Sequence, residues 1–401
     1  MYQHLRPTWA EINLDNIAHN VQAIKQRLQP GCEIMAVVKA DAYGHGAPQV
    51  ARTALEAGAT RLAVSILDEA CELRGAGLSA PILVMGYTPA AQGGLAASQD
   101  ISLTVYERQQ ALALVQAAQA AGFPLKVHLK VDTGMGRLGV QPDEAAALAS
   151  WLHGLAGCQL EGIFTHLAKA DAADPSPTYL QLQRFELALA QLQQAGISVP
   201  LVHAANSAAA MRFPSSQFSA VRLGLALYGL YPNAQLRERD FDLRPAMTLN
   251  TTIAQAKWLP ANNPVSYGGR FVTQRPSYII TLPFGYADGF SRALSGKGSV
   301  LVSGHKVPLI GAVCMDQCMA DATEVPEAQV GDPVVIWGNS QGQSITVDDI
   351  AAILDTISYE VVTLVSKRVP RVYFRHGQVS ELRTLLQHTT AIAGENCRVT
   401  F

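Results

Sequence analysis

From Ile34 to Leu223 short apolar runs recur along the chain, separated by stretches with helical periodicity. The runs are Ile34–Lys39, Leu62–Ser65, Ile82–Val84, Ile101–Thr104, Lys126–Val131, Leu160–Thr165, Leu201–His203 and Val221–Leu223, after an opening strand at Trp9–Leu14. Glu107–Ala121 illustrates the intervening segments. Ala111, Leu114, Val115 and Ala118 fall at i, i+3, i+4 and i+7, and Gly122 supplies a stop. Counting from Ile34 gives eight strand–helix units, which predicts an α/β (β/α)8 barrel like that of triosephosphate isomerase. An open doubly wound sheet satisfies the same alternation, because counting alone does not force closure.

The pattern changes after Leu243-Arg244-Pro245. Strand-like runs then follow one another: Thr248–Ala256, Ser277–Leu282, Ser299–Val302, Val307–Ala312 and Pro333–Trp337, punctuated by Gly, Pro, Asn and Asp. One helix is expected at about 347–357. The expected division is a barrel domain over 1–243 and a mostly β domain over 244–401.

Composition narrows the class. The chain has 401 residues, 49% hydrophobic and 15% charged, with a net charge of -2. It holds enough apolar material for large cores, and no basic block or aromatic-basic interleaving invites nucleic acid. No signal-like or membrane-spanning run is read, so a cytoplasmic protein is expected. Six scattered cysteines (Cys32, Cys71, Cys158, Cys314, Cys318, Cys397) suit a reducing compartment. Cys314 and Cys318 have no second pair at zinc spacing, so no metal site is expected.

The candidate chemistry collects at the strand ends. Lys39 closes an apolar run in Ala36-Val37-Val38-Lys39-Ala40-Asp41. A partly dry lysine has a depressed pKa and becomes an amine nucleophile suited to Schiff-base formation; the plain alternative is a solvated strand-end lysine. Arg137 follows the fifth barrel run, His166 and His203 end the sixth and seventh, and Arg222 lies in the eighth. Ser207 and Gly224 fall where such barrels hold phosphate. Taken singly, each histidine reads as structural, Asn206-Ser207 equally as a helix cap, and Asp132-Thr133-Gly134 as a turn. Jointly, a lysine, two arginines and a phosphate cradle at one barrel mouth point to pyridoxal 5'-phosphate (PLP).

With these residues in place the chain resembles the alanine racemase family. The segments that carry the resemblance are Ala36–Gly46, Lys130–Gly139, Phe164–Leu167, His203–Ala208, Val221–Leu230, Val265–Gly268, Leu282–Phe290, Gly311–Met315 and Ser358–Leu364. The resemblance implies that Lys39 carries PLP, that Tyr43, Ser207, Gly224 and Tyr359 hold its phosphate, and that Asn206 also binds the cofactor. It implies that Arg222, supported by His166, faces the ring nitrogen. Arg137 and Met315 would hold the substrate, with His203, Tyr286 and Asp316 in support. Lys130 stands where the family often carries an N6-carboxylated lysine; an outward-facing lysine is the alternative. Tyr267, by itself an ordinary strand aromatic, would be the second catalytic base. It would act opposite Lys39 and come from the partner subunit of a homodimer.

The implied activity is interconversion of L- and D-alanine, which supplies D-alanine for peptidoglycan. The alternatives are a serine or broad-specificity racemase of the same fold and, from another class, a non-catalytic PLP carrier. A decarboxylase on this architecture is disfavoured, because it would be expected to set a carboxylate rather than Arg222 against the ring nitrogen.

Overall fold

The computed structural model describes residues 6–239, 241–385 and 390–391; Cys397 lies outside them. The chain divides into two compact units. The first comprises Asn16–Ala42 and Gly46–Arg244. The second comprises the described residues up to Asp15, Tyr43–His45, and those from Pro245 onward. The opening strand β1 (Thr8–Asn13) therefore belongs to the second unit, whereas the expected span of 1–243 placed it with the barrel.

The first unit is a closed parallel barrel. Its strands are β2 (Glu33–Val37), β3 (Arg61–Val64), β4 (Ile82–Val84), β5 (Ile101–Val105), β6 (Leu125–Lys130), β7 (Cys158–Phe164), β8 (Leu201–His203) and β9 (Ala220–Leu223). Closure is made by β2 and β9, which pair in parallel with Met35 opposite Arg222. The open-sheet alternative is thereby excluded, since no barrel strand is left with an unpaired edge. The expected helical stretch forms as Arg108–Ala120, with Ala111, Leu114, Val115 and Ala118 buried. On β6 the period of two sets His128 and Lys130 on one face and Val127 and Leu129 on the other.

The second unit is mostly β. Its further strands are β10 (Met247–Thr252), β11 (Gln255–Leu259), β12 (Pro264–Val265), β13 (Phe271–Val272), β14 (Ser277–Leu282), β15 (Ser299–Val302), β16 (His305–Ile310), β17 (Cys318–Asp321), β18 (Pro333–Ser340), β19 (Gln343–Ile345), β20 (Arg371–Arg375), β21 (Gln378–Arg383) and β22 (Thr390–Ala391). Among the described residues the main sheet runs β11-β14-β17-β16-β15-β18-β10-β1-β20-β21-β22, with β19 on β18. β1 lies inside it, antiparallel to β10 and parallel to β20, with Ala10 and Ile12 fully buried. These two ladders hold the opening strand in the sheet.

The run expected as one strand at 248–256 is two, β10 and β11. Between them Ile253 N donates to Asp332 O and Ala254 N to Thr281 O, so the backbone changes partners there. The expected helix forms as Val347–Leu354. Thr346 and Asp349 cap its start, and it ends where Asp355 turns left-handed at φ 53°.

Candidate active site

Lys39 opens a turn of unusual hand. Ala40, Asp41, Ala42 and Tyr43 all have φ between 51° and 53°. A left-handed conformation costs an ordinary residue about 1–2 kcal/mol, so four in succession persist only where neighbours hold them. Ala42 N donates to Val38 O (2.9 Å), Gly46 N to Asp41 O (2.8 Å) and Ala47 N to Asp41 Oδ1 (2.9 Å). Ala40 N donates to Glu69 Oε1 at 2.6 Å, and Oε2 of the same carboxylate accepts Ser65 N (2.7 Å) and Ile66 N (3.2 Å). Glu69 was not singled out from the sequence. It sits in the first turn of helix Leu67–Gly75, where acidic residues are common. Burial, and then the Arg137 charge, hold the Lys39 ammonium below the ordinary lysine range; Glu69 opposes them.

Arg222 is 3% exposed and enclosed by acceptors. Nη1 donates to His203 Nδ1 (2.8 Å) and more weakly to His203 O (3.3 Å). Nη2 donates to Thr165 O (2.8 Å), Ala204 O (2.9 Å) and His166 Nδ1 (3.2 Å). Its Nε has no hydrogen-bond partner among the described residues. Burial pushes the guanidinium down to about 9, which leaves it charged near neutrality. Burial, with Arg222 next, pushes His166 down to about 2 and His203 well below its usual value, so both imidazoles are neutral.

Lys130 is buried, not outward-facing. Its Nζ donates to Val131 O at 3.0 Å and lies 5.2 Å from the centroid of the Phe164 ring. Burial, then the Arg222 charge, lowers it to about 7. The Asp132-Thr133-Gly134 segment is a turn, with Asp132 Oδ1 accepting from the backbone N–H groups of Gly134, Met135 and Gly136. Arg137 follows it, exposed and without a hydrogen-bond partner among the described residues. Its charge lowers Lys39, Lys130, His166 and Arg222 alike.

Asn206 is the N-cap of helix Ser207–Arg212, accepting Ala209 N at 3.0 Å and donating to Leu167 O at 3.2 Å. Ser207, 3% exposed, accepts Gly224 N at 2.9 Å and Ala226 N at 3.3 Å. The barrel unit thus assembles Lys39, Lys130, Arg137, His166, His203, Asn206, Ser207, Arg222 and Gly224 at its C-terminal strand ends. His128 and Glu161, on β6 and β7, were missed. Their signal is a charged or ionisable residue interrupting an apolar strand.

The remaining candidates belong to the β unit. The rings of Tyr43 and Tyr359 lie 6.0 Å apart, and burial raises the Tyr43 hydroxyl above its ordinary range. Hydrogen bonds join the segments that carry Tyr267, Tyr286, Met315 and Asp316. Ser266 Oγ donates to Ala312 O (2.7 Å), Tyr286 N to Cys314 O (3.0 Å) and Ala287 N to Met315 O (2.9 Å). Tyr267 is 74% exposed, Met315 52% and Tyr286 42%. Arg368 Nη2 holds Asp316 Oδ1 at 2.7 Å.

Comparison with known proteins agrees with this architecture. Residues 12–232 match the family model "Alanine racemase, N-terminal domain" and residues 246–373 match "Alanine racemase, C-terminal domain". The chain is 45% identical over 384 residues to alanine racemase 1 of Clostridium acetobutylicum, covering 96% of this chain and 99% of that one. It is 47% identical over 368 residues to alanine racemase of Desulfovibrio desulfuricans, covering 92% and 98%. Among solved structures, alanine racemase from Bacillus anthracis with bound L-Ala-P superposes with a TM-score of 0.91 at 40% identity, over 95% of this chain and 98% of that one. With both domain models matched and near-complete coverage at this identity, the chain belongs to the alanine racemase family.

Proposed function

We propose that the chain is a PLP-dependent alanine racemase acting as a cytoplasmic homodimer and supplying D-alanine for peptidoglycan. The observation that carries this reading is the grouping of Lys39, Arg137, Arg222 and the Ser207–Gly224 pair at one end of a closed barrel. The residues present fit the cofactor. Arg137 and Arg222 are cations suited to a carboxylate and a ring nitrogen, and Arg137 has no hydrogen-bond partner among the described residues. Arg222 spends both terminal nitrogens on protein acceptors and keeps Nε–H for a ring nitrogen. Bound there through Lys39, PLP supplies a conjugated ring that withdraws electrons from the substrate's Cα.

The chain's own residues do the rest. In the barrel unit Ser207 and Gly224 would hold the phosphate, with Asn206 also at the cofactor. Arg137 anchors the substrate carboxylate, and Met315 of a second copy borders it. Arg222 would donate to the ring nitrogen without surrendering a proton, a partner that would limit the ring's electron withdrawal and disfavour side reactions. Inversion at Cα needs acid–base groups on opposite faces. Lys39 Nζ moves the proton on one face, and Tyr267 Oη of a second copy moves it on the other. The exposure of Tyr267, Tyr286 and Met315 supports a surface completed by that copy, with Asp316 and Arg368 beside it.

The test is racemisation of L-alanine by the full-length chain with added PLP, followed by loss of optical rotation, and compared with L-serine. Lys39→Ala and Tyr267→Phe are each expected to be nearly inactive. After subunit exchange between them, roughly a quarter of sites should recover, because half the dimers are mixed and one site in each is intact. No racemisation by the parent chain would refute the reading, and no recovery after confirmed exchange would place both bases in one protomer.

A further inference from the structure

Beneath Arg222 the barrel interior holds a line of polar groups in an otherwise apolar core. Arg222 Nη1 lies 2.8 Å from His203 Nδ1, His203 Nε2 lies 3.0 Å from His128 Nδ1, and His128 Nε2 lies 3.2 Å from Glu161 Oε2. Ser102 Oγ donates to Glu161 Oε2 at 2.5 Å and Arg61 Nη1 to Oε1 at 3.1 Å. Arg61 Nε in turn reaches Glu33 Oε2 at 3.0 Å. His203 and His128 are 0% and 1% exposed. All of these residues belong to the barrel unit.

The chemistry of the two ends sets every proton in the line. Arginine has only donors, so His203 Nδ1 must present a lone pair. His203 is neutral through burial, so its hydrogen is on Nε2, and His128 Nδ1 must accept it. Burial also keeps His128 neutral, so its hydrogen is on Nε2 and is donated to Glu161. Glu161 is held well below the ordinary carboxylate range, first by the His128 bond, and is therefore acceptor-only. Reasoning from the carboxylate end gives the same tautomers. The bonds all run one way, from the cation to the anion.

The strand is shaped for this ring. A Cβ on Gly162 would lie 2.3 Å from His128 Nδ1 and 2.5 Å from Cε1, and the β6–β7 register shifts between Val127 and His128. Among the described residues no carboxylate touches Arg222 directly; its five acceptors are uncharged. A buried cation without a counter-ion is costly. Glu161 is the anion at the far end of its own hydrogen-bond chain.

We propose that Glu161 and His128 are positioning residues for Arg222, holding it through His203 by a one-way hydrogen-bond line that fixes both imidazole tautomers and supplies its remote counter-ion. This rests on the reading of Arg222 as the cofactor-facing donor. The line ties Nη1 down and so leaves Nε as the donor available at the mouth. Glutamine at position 161 tests the point. Its amide either accepts or donates, so it no longer dictates direction. When it donates, both imidazoles invert and His203 Nδ1–H opposes Arg222 Nη1.

The experiment is 15N NMR of histidine-labelled, full-length, PLP-loaded protein, with steady-state kinetics on the same samples. The parent should show His203 and His128 as neutral Nε2–H tautomers. Glu161→Gln should introduce Nδ1–H populations at both. It should also lower kcat about tenfold with KM within twofold, because Arg222 faces the ring and not the substrate. Gly162→Ala, which displaces the His128 ring, should likewise disturb the His203 signal and kcat. A parent His203 carrying Nδ1–H, or a Glu161→Gln variant with unchanged tautomers and unchanged kcat, overturns the proposal. A parent chain that shows the stated tautomers and does not racemise alanine would remove the functional reading and leave the line of bonds standing.

Discussion

Lys130 should carry CO2 as a carbamate, and the magnitude follows from its burial. At 5% exposure, beside the charges of Arg222 and Arg137, its ammonium is lowered from 10.5 to about 7, with Asp132 pulling the other way. An ordinary lysine at pH 7 is unprotonated in roughly one molecule in 3,000; at a pKa of about 7 it is roughly half unprotonated. The reactive amine is thus about a thousandfold more abundant. The neutral amine adds to CO2, forming an N–C bond and releasing one proton, and a cation becomes an anion among Lys39, Arg137 and Arg222.

Left unmodified, Lys130 destabilises the fold at low pH. Its folded pKa is depressed, so the unfolded chain binds more protons between about pH 7 and 10.5, and stability rises with pH across that window. The penalty is fully present below pH 7 and corresponds to about 5 kcal/mol. The assay is 13C NMR of full-length protein under 13CO2 at fixed pressure, from pH 6 to 9. A carbamate resonance should grow through pH 7 and be missing in Lys130→Ala. Urea unfolding in CO2-free buffer should show stability rising above pH 7, and added bicarbonate should raise stability further across that window, because the amine of the folded chain reacts while that of the unfolded chain stays protonated. No Lys130-dependent carbamate, with Lys130 titrating near 10.5, would refute the reasoning.

Two further predictions concern the supports of the Lys39 turn and of the β unit. Glu69→Gln removes an anion that raises Lys39, so the Lys39 amine should titrate lower; acylation of cofactor-free protein against pH reads this, and an unmoved midpoint would count against it. Arg371 is 3% exposed and donates to the carbonyls of Gly44, Val365, Ser366 and Val369, so Arg371→Leu strands several buried acceptors. It should lose about 2–5 kcal/mol of stability in urea unfolding, and a loss under about 0.5 kcal/mol would show that water satisfies them.

Local pattern was enough to read the order of strands and helices, because burial imposes periods of 2 and 3.6 on neighbouring residues. The runs at Ile82–Val84, Leu201–His203, Ser277–Leu282 and Ser299–Val302 form strands with those bounds. Residue type and strand-end position were likewise enough to select Lys39, Arg137, His166, Ser207 and Arg222 as candidates, since their chemistry is written in the side chain. What pairs with what is non-local, and tertiary structure decided it. Closure of β2 on β9, the capture of β1 by β10 and β20, and the partner change between β10 and β11 depend on edges brought together from distant parts of the chain. Burial of Lys130 and the left-handed turn after Lys39 are equally decisions of the assembled fold. Each is unfavourable locally and persists through neighbours such as Glu69, which no spacing reveals. His128 and Glu161 look like isolated interruptions of apolar strands. Only the barrel's register sets them in one line with His203 and Arg222.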